Sequence, residues 1–221
     1  MRRSCFVLVL VMVISTCAAL AQRAESSAET SGPYKVLKTV KTGGAGGFDY
    51  VYADEAGRKL YVARSGSPGR INVFNLDTLA PVGEIPNLSA DGAVVSPKSN
   101  HGFASSKPVT MFDSTTLAVI KTIDVDGGPD CLLYDGFNDH VYVFSHRAPN
   151  ATVINAQDGA VLGTIDLGGA PEQAATDGKG RIYVDIEDKG SIAVLDAKTM
   201  AVSARYDLAG QGGTAPGWRW M

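Results

Sequence analysis

Four acidic residues recur at one position of a repeating pattern, and carboxylates that converge can bind a ligand or a cation. Each lies 12 residues, or in the last case 11, before an aromatic residue in a short apolar run. The acids are Asp49, Asp91, Asp130 and Glu172, and the aromatic residues are Tyr61, Phe103, Tyr142 and Tyr183. Such carboxylates suit hard cations such as Ca²⁺, but the sequence has no Asp-x-Asp-x-Asp-Gly loop. The pattern predicts a ligand-binding face and does not decide whether a metal ion binds there. The alternative is that these acids serve only to solvate the strand ends.

A second group of polar residues follows the aromatic run of three of the copies. If each run is the second of two antiparallel strands, its end returns to the face where the acids lie. The candidate ligand-binding residues there are Arg64, His146, Arg147 and Glu187. His146 is the only histidine at this position, whereas His101 and His140 precede their aromatic residues by two and are expected at the opposite end of the strands. A lone loop histidine without a partner predicts no base catalysis.

The sequence contains none of the common catalytic motifs. The chain has neither Gly-x-Ser-x-Gly nor a phosphate-binding Gly-x-x-x-x-Gly-Lys-Ser/Thr loop. "GGAGG" at 43–47 runs into a predicted strand rather than a helix. Cys131 is the only cysteine beyond residue 17, which leaves no disulfide or Cys-x-x-Cys site. We therefore predict no catalytic residue and no cofactor.

The spacing of the landmarks indicates the elements that must position these residues. The aromatic positions are separated by 42, 39 and 41 residues. A second landmark, an Asn or Asp residue, recurs at similar intervals at Asn75, Asp113, Asn155 and Asp196. Asx side chains at such places close tight turns between strands. Each copy holds four short strands divided by turn residues, which is the unit of a β-propeller blade. The fold is predicted as all-β, with blades at about 46–85, 90–123, 128–165 and 169–206.

Three aromatic runs, "RKLYVAR", "DHVYVFS" and "GRIYVDI", resemble the signature of the YVTN-repeat (YncE-like) β-propellers of exported bacterial proteins. The resemblance covers residues 34 to about 210. Members of that family close a ring of about seven blades, so the four copies here imply an open partial ring; a self-contained four-blade ring is the alternative. We expect "YKVLKTVKTG" at 34–43 to be an additional outer strand whose last blade is missing, so that it has no strand partner or is borrowed by a neighbour. We expect 211–221 to be an irregular or truncated tail. An uncovered blade face would carry residues such as Leu60, Val62, Ile71 and Val73.

The amino terminus and the charge balance predict where the protein works. Two arginines, an apolar run and Ala19-Leu20-Ala21 indicate a signal peptide over 1–21. A lipoprotein signal ending at Cys17 is a second possibility. Residues 22–33 are small and polar and predict a flexible leader. The net charge of −3 argues against binding to nucleic acid. We predict a periplasmic or secreted protein with no membrane span after signal cleavage.

These observations favour a non-catalytic binding module that uses the acidic face to hold a protein or a small ligand. The alternative is a periplasmic enzyme or enzyme subunit on the same scaffold, such as a lactone hydrolase or a dehydrogenase-associated propeller. That alternative requires the carboxylates and His146 to lie within coordination reach of one point.

Overall fold

The computed structural model describes residues 34–44 and 46–210. The predicted signal peptide, leader and tail therefore lie outside the described residues. Two units are distinguished, residues 1–41 and residues 42–221, and all the regular secondary structure described lies in the second. Nothing helical within the described residues has the length and apolar character that a membrane crossing requires.

The second unit contains four antiparallel sheets, each with four strands in chain order. Blade 1 contains β1 (Val51–Asp54), β2 (Lys59–Arg64), β3 (Arg70–Asn75) and β4 (Pro81–Pro86). Blade 2 contains β5 (Ala93–Ser96), β6 (His101–Ala104), β7 (Val109–Asp113) and β8 (Val119–Ile123). Blade 3 contains β9 (Pro129–Asp135), β10 (His140–Ser145), β11 (Asn150–Asn155) and β12 (Val161–Asp166). Blade 4 contains β13 (Pro171–Thr176), β14 (Arg181–Ile186), β15 (Ser191–Asp196) and β16 (Ala201–Asp207), with a 3₁₀ turn at Glu187–Lys189.

The blades form a β-propeller whose sheets do not close into a ring. The first strand of each blade contacts the first strand of the next, so β1, β5, β9 and β13 are the innermost strands. The all-β propeller predicted from the repeat, with its open arrangement, is confirmed.

Apolar clusters hold the blades face to face. Alternate residues of a strand point to opposite faces of its sheet, so each blade presents one apolar set to each neighbour. Between blades 1 and 2, the Tyr61 and Phe112 rings lie 5.9 Å apart at their centroids, within the range of favourable aromatic pairs. Similar clusters join blade 2 to blade 3 and blade 3 to blade 4.

The landmark aromatic residues of blades 1, 2 and 3 point towards the following blade. Tyr61, Phe103 and Tyr142 are at most 1% exposed and pack into the three interblade clusters. Tyr183 is only partly buried, because no fifth blade follows it within the described residues. The aromatic repeat is therefore the packing contact that each blade makes with the next.

One expectation about the two faces of blade 1 is wrong. We expected Leu60, Val62, Ile71 and Val73 to share one uncovered face. Ile71 and Val73 are instead fully buried against blade 2, because they pair with Ala63 and Tyr61 across the β2–β3 ladder. Leu60 and Val62 lie on the other face of the sheet.

Asx turns close the third hairpin of every blade, as the spacing predicts. Asp113 Oδ1 accepts hydrogen bonds from the backbone N–H groups of Thr115 and Thr116 at 2.8 and 2.7 Å. The equivalent oxygens of Asn75 and Asp196 also accept two such bonds each, and that of Asn155 accepts one, from Gln157 N–H. Closing the turn between the third and fourth strands thus explains why these four residues recur.

The segment 34–43, expected as an additional outer strand of a blade that is missing here, forms no strand, in agreement with the expectation that it would lack its partner. A strand needs a partner whose edge is free, and the expected partner was the last blade of a ring. No such blade occurs among the described residues. Tyr34, Val36 and Leu37 are largely exposed.

Replacing Asp113 by alanine should destabilise the protein. The change removes the acceptor of two backbone hydrogen bonds, each worth about 1 kcal/mol, so urea unfolding should show a loss of about 1–2 kcal/mol. Asp113→Asn keeps the acceptor oxygen and should lose less than half as much. Equal losses in the two variants would show that the turn depends on charge rather than on the acceptor.

Candidate ligand site at the channel mouth

A cavity of about 340 Å³ lies between the inner strands, within the size range of small-molecule sites. Residues from all four blades line it, and four of them directly follow the repeated acids. These four are Tyr50, Gly92, Cys131 and Gln173. The four acids therefore lie at one end of the cavity, which we call the channel mouth. The structure thus brings Asp49, Asp91, Asp130 and Glu172 to one region, at the beginning of the inner strands.

Two of the acids project from β-bulges. Between β9 and β10 the pairing shifts, so that Asp130 and Cys131 together oppose Phe144. Between β13 and β14 a similar shift sets Glu172 and Gln173 opposite Asp185. A bulge bends its strand and redirects the side chain, and such bulges are frequent beside functional sites. The backbone of blades 3 and 4 is therefore bent at the positions of their acidic residues, Asp130 and Glu172.

The glycine before the blade 3 acid permits the close approach that this geometry needs. Gly127 has φ +81°, and a Cβ there would lie 2.7 Å from the Cβ of Ala148 and 2.9 Å from that of Ser145. Any larger residue would combine a left-handed backbone with a steric clash.

His146 faces both acids across the mouth. Its Nδ1 lies 3.9 Å from Asp130 Oδ2 and 3.6 Å from Glu172 Oε2. Its Nε2 lies 3.8 Å from Glu187 Oε2. One atom each from Asp130, His146 and Glu172 lie within 4.8 Å of one another, so the convergence that metal coordination requires is present.

Tyr50 fixes the orientation of Glu172. Its phenol donates a 2.9 Å hydrogen bond to Glu172 Oε1, which leaves Oε2 facing His146. Burial, followed by the charges around it, raises the pKa of Tyr50, so the phenol remains a donor at neutral pH. A residue beside blade 1 thereby positions a side chain of blade 4.

Burial and repulsion between like charges both disfavour ionised acids at the mouth. Burial and then the charges of Glu172, Asp91 and Asp49 raise the pKa of Asp130 to about 6, with His146 acting in the opposite direction. Burial and Asp49 also raise the pKa of Asp91. A bound positive charge would relieve this repulsion.

Asp185 is a member of the site that sequence reasoning missed. It is 1% exposed, and neither carboxylate oxygen accepts a hydrogen bond. Burial, Glu172 and Glu187 all raise its pKa, which places it beside the other acids. Its position inside a strand gave no signal, because the bulge opposite it is not visible in the sequence.

Arg64 has a different environment from the one predicted. The side chain is buried, and its guanidinium donates to the carbonyls of Gly43, Gly46 and Gly47 at 2.9, 3.1 and 3.0 Å and to Thr42 Oγ1 at 2.6 Å. These bonds hold the loop that leads to Asp49. Arg147 is exposed, and its aliphatic chain passes near Gly128.

The residue four positions after the landmark aromatic residue differs in each blade. The four positions are occupied by Ser65, Lys107, His146 and Glu187. Lys107 donates to the carbonyl of Gly127, so its ammonium is engaged at the loop before Asp130. Only blades 3 and 4 contribute a potential metal ligand from this position.

Cys131 lines the cavity but is unsuited to act as a nucleophile. It is 8% exposed, and burial raises the pKa of the thiol to about 12. The reactive thiolate is therefore absent at neutral pH.

Comparison with known proteins supports the fold. No family model matches the sequence, and no curated protein matches it. Among solved structures, hydrazine synthase of Kuenenia stuttgartiensis aligns with a TM-score of 0.66 and 14% identity, over 78% of this chain and 52% of that one. The Cps50 (Swd1) β-propeller domain of Myceliophteria thermophila gives 0.63 and 10%, over 78% and 58%. Dihydro-haem d1 dehydrogenase NirN gives 0.62 and 15%, over 81% and 41%.

These likenesses define the class of protein, a β-propeller. The chain spans about half the length of the solved structures it matches. At 10–15% identity the similarity concerns the scaffold alone, because one fold serves many functions.

Replacing Asp130 by asparagine should stabilise the metal-free protein at pH 7.5. The folded-state pKa of about 6 exceeds the unfolded value of about 3.9, so ionising Asp130 favours unfolding. The cost is absent below about pH 4 and grows as the pH rises through 6, reaching at most about 3 kcal/mol. Urea unfolding of both proteins at pH 4 and 7.5 measures it. A difference that is the same at both pH values would contradict the assignment.

Arg64→Lys should weaken the 42–47 loop, because an ammonium cannot reproduce the fork of donors that contacts several carbonyls. Losing two or more of these bonds should lower the unfolding free energy by about 1–3 kcal/mol. Arg147→Lys is the matched control on an exposed arginine and should leave it unchanged. Equal stability of the two variants would exclude the structural role of Arg64.

Proposed function

We propose that this chain is an exported β-propeller binding module that holds a small cationic ligand at the channel mouth. The observation that supports this most is the convergence of Asp130, Glu172 and Glu187 on the half-exposed His146. Asp49, Asp91 and Asp185 add negative charge around the same point. A site with this charge attracts cations and repels anions.

The cavity supports a small ligand over a large partner. Its volume of about 340 Å³ suits a molecule of modest size, and apolar residues such as Leu132 and Leu133 line its walls. An organic cation with an apolar body would meet carboxylates at the mouth and aliphatic side chains below. Membership of the YVTN-repeat group and export to the periplasm or beyond are parts of this proposal.

Spermidine, choline and arginine are suitable probes, with thermal unfolding as the readout. At tenfold excess over Kd, a bound probe should raise the Tm by about 3–6 °C. The variant D49N/D130N/E172Q should lose this response while remaining folded, because it removes three charges without changing side-chain volume.

A second triple variant, E55Q/E84Q/D158N, removes the same number of charges away from the mouth and serves as the control. Glu55 follows the far end of β1, Glu84 lies on an outer strand and Asp158 lies in a hairpin turn. It should keep the full response. If both triple variants lose it equally, binding reflects overall charge and the proposed site is wrong.

A second candidate function, hydrolysis of a lactone, is favoured by one observation. The three groups at the mouth meet the geometric condition for metal coordination, and His146 is 42% exposed, as suits a metal site with an open position for water. Lactone hydrolysis by metal-loaded protein that disappears in His146→Ala would favour the enzyme over the binding module.

A further inference from the structure

We propose that Asp130, His146 and Glu172 bind one divalent transition-metal ion between blades 3 and 4, with Glu187 supporting the histidine. The site belongs to the channel mouth, so the inference rests on the proposed cation-binding function and specifies one cation. The organic ligand and the metal ion share Asp130 and Glu172, but they can be tested separately because only the metal ion requires the imidazole of His146 as a ligand.

The distances suit an ion with short bonds. Two ligand atoms about 2.1 Å from a tetrahedral metal ion lie about 3.4 Å apart. The Nδ1 atom of His146 is 3.6 Å from Glu172 Oε2 and 3.9 Å from Asp130 Oδ2. The two distances from the imidazole need to close by only a few tenths of an ångström, and all three ligand atoms lie within 4.8 Å of one another. The three side chains are partly buried.

Both flanking contacts orient the ligands as metal sites require. With Nδ1 directed at the ion, Nε2 carries the proton and faces Glu187 Oε2 at 3.8 Å. A carboxylate in that position fixes the tautomer of a metal-bound histidine once the contact shortens. Tyr50 holds Glu172 Oε1, so the remaining oxygen points to the site. The two supporting groups come from different blades, because Tyr50 directly precedes β1 of blade 1 and Glu187 directly follows β14 of blade 4.

Asp185 gives an independent indication that a cation is held here. Its carboxylate is 1% exposed and accepts no hydrogen bond through either oxygen. Buried polar atoms are nearly always satisfied, and a native exception calls for an ion or a water molecule. Asp185 stands opposite the bulge that carries Glu172. A metal ion bound by Glu172 would supply the counter-charge that this carboxylate lacks.

The ligand atoms select the class of metal. Imidazole nitrogen with carboxylate oxygen suits Zn²⁺ and its first-row neighbours, whereas Ca²⁺ and Mg²⁺ prefer oxygen alone. The repeated acids by themselves suggested a hard cation such as Ca²⁺. The approach of His146 shifts that expectation towards a transition metal.

Calorimetric titration of EDTA-treated, dialysed protein with ZnCl₂, MnCl₂ and CaCl₂ tests the proposal. We expect one Zn²⁺ per chain, bound at least tenfold more tightly than Ca²⁺. His146→Ala should weaken Zn²⁺ binding at least tenfold. The control His140→Ala lies at the other end of β10, about 17 Å along the strand from its last residue, and should bind Zn²⁺ like the wild type.

The variant Asp185→Asn distinguishes an outer-shell residue from a purely structural one, because only an outer-shell residue affects Zn²⁺ affinity. It should stabilise the metal-free protein while weakening Zn²⁺ binding about tenfold, as loss of an outer-shell group does. No Zn²⁺ binding to the wild type, or equal binding by wild type and His146→Ala, would overturn the inference.

The outcomes separate this inference from the proposed function. Spermidine binding without Zn²⁺ binding would refute the metal site alone. Zn²⁺ binding that needs His146, with no response to any organic cation, would refute the organic-ligand proposal alone.

Discussion

The inner strands of four blades begin around one narrow cavity, and this geometric constraint shapes everything at the channel mouth. A residue type placed at that point of the repeat is brought beside its copies whatever its charge. Here the repeated residue is acidic, so repetition concentrates like charges. Burial raises the pKa of Asp130, and the charges of the three neighbouring copies raise it further.

Apolar contacts away from the mouth make this concentration tolerable. Tyr142, Phe144 and Ile186 are fully buried between blades 3 and 4, directly beneath the strand ends that carry the acids and His146. Packing of this kind contributes far more than the local repulsion removes. Functional sites commonly break the rules that the remainder of a fold obeys.

The repeat made the propeller, its blades and its Asx turns predictable, because period-two strands and turn residues are local signals. The acid register was predictable for the same reason. Asp185 was not, since a bulge changes which residues oppose each other and leaves no trace in composition. The contacts of Arg64 were not predictable either, because backbone carbonyls, which the sequence does not display, accept hydrogen bonds from its guanidinium. The segment 34–43 forms no strand, because strand pairing depends on a partner elsewhere in the chain.

The position four residues after the landmark aromatic residue shows how the copies of a repeat come to differ. Serine, lysine, histidine and glutamate occupy the four equivalent places, although each blade repeats the same four-stranded sheet. Gene duplication supplies the repeated blades and the symmetric set of acidic residues. Divergence at the variable position of one blade then makes the charge distribution asymmetric. An off-axis centre between two blades can thus evolve by changing one copy, while the other copies continue to maintain the fold.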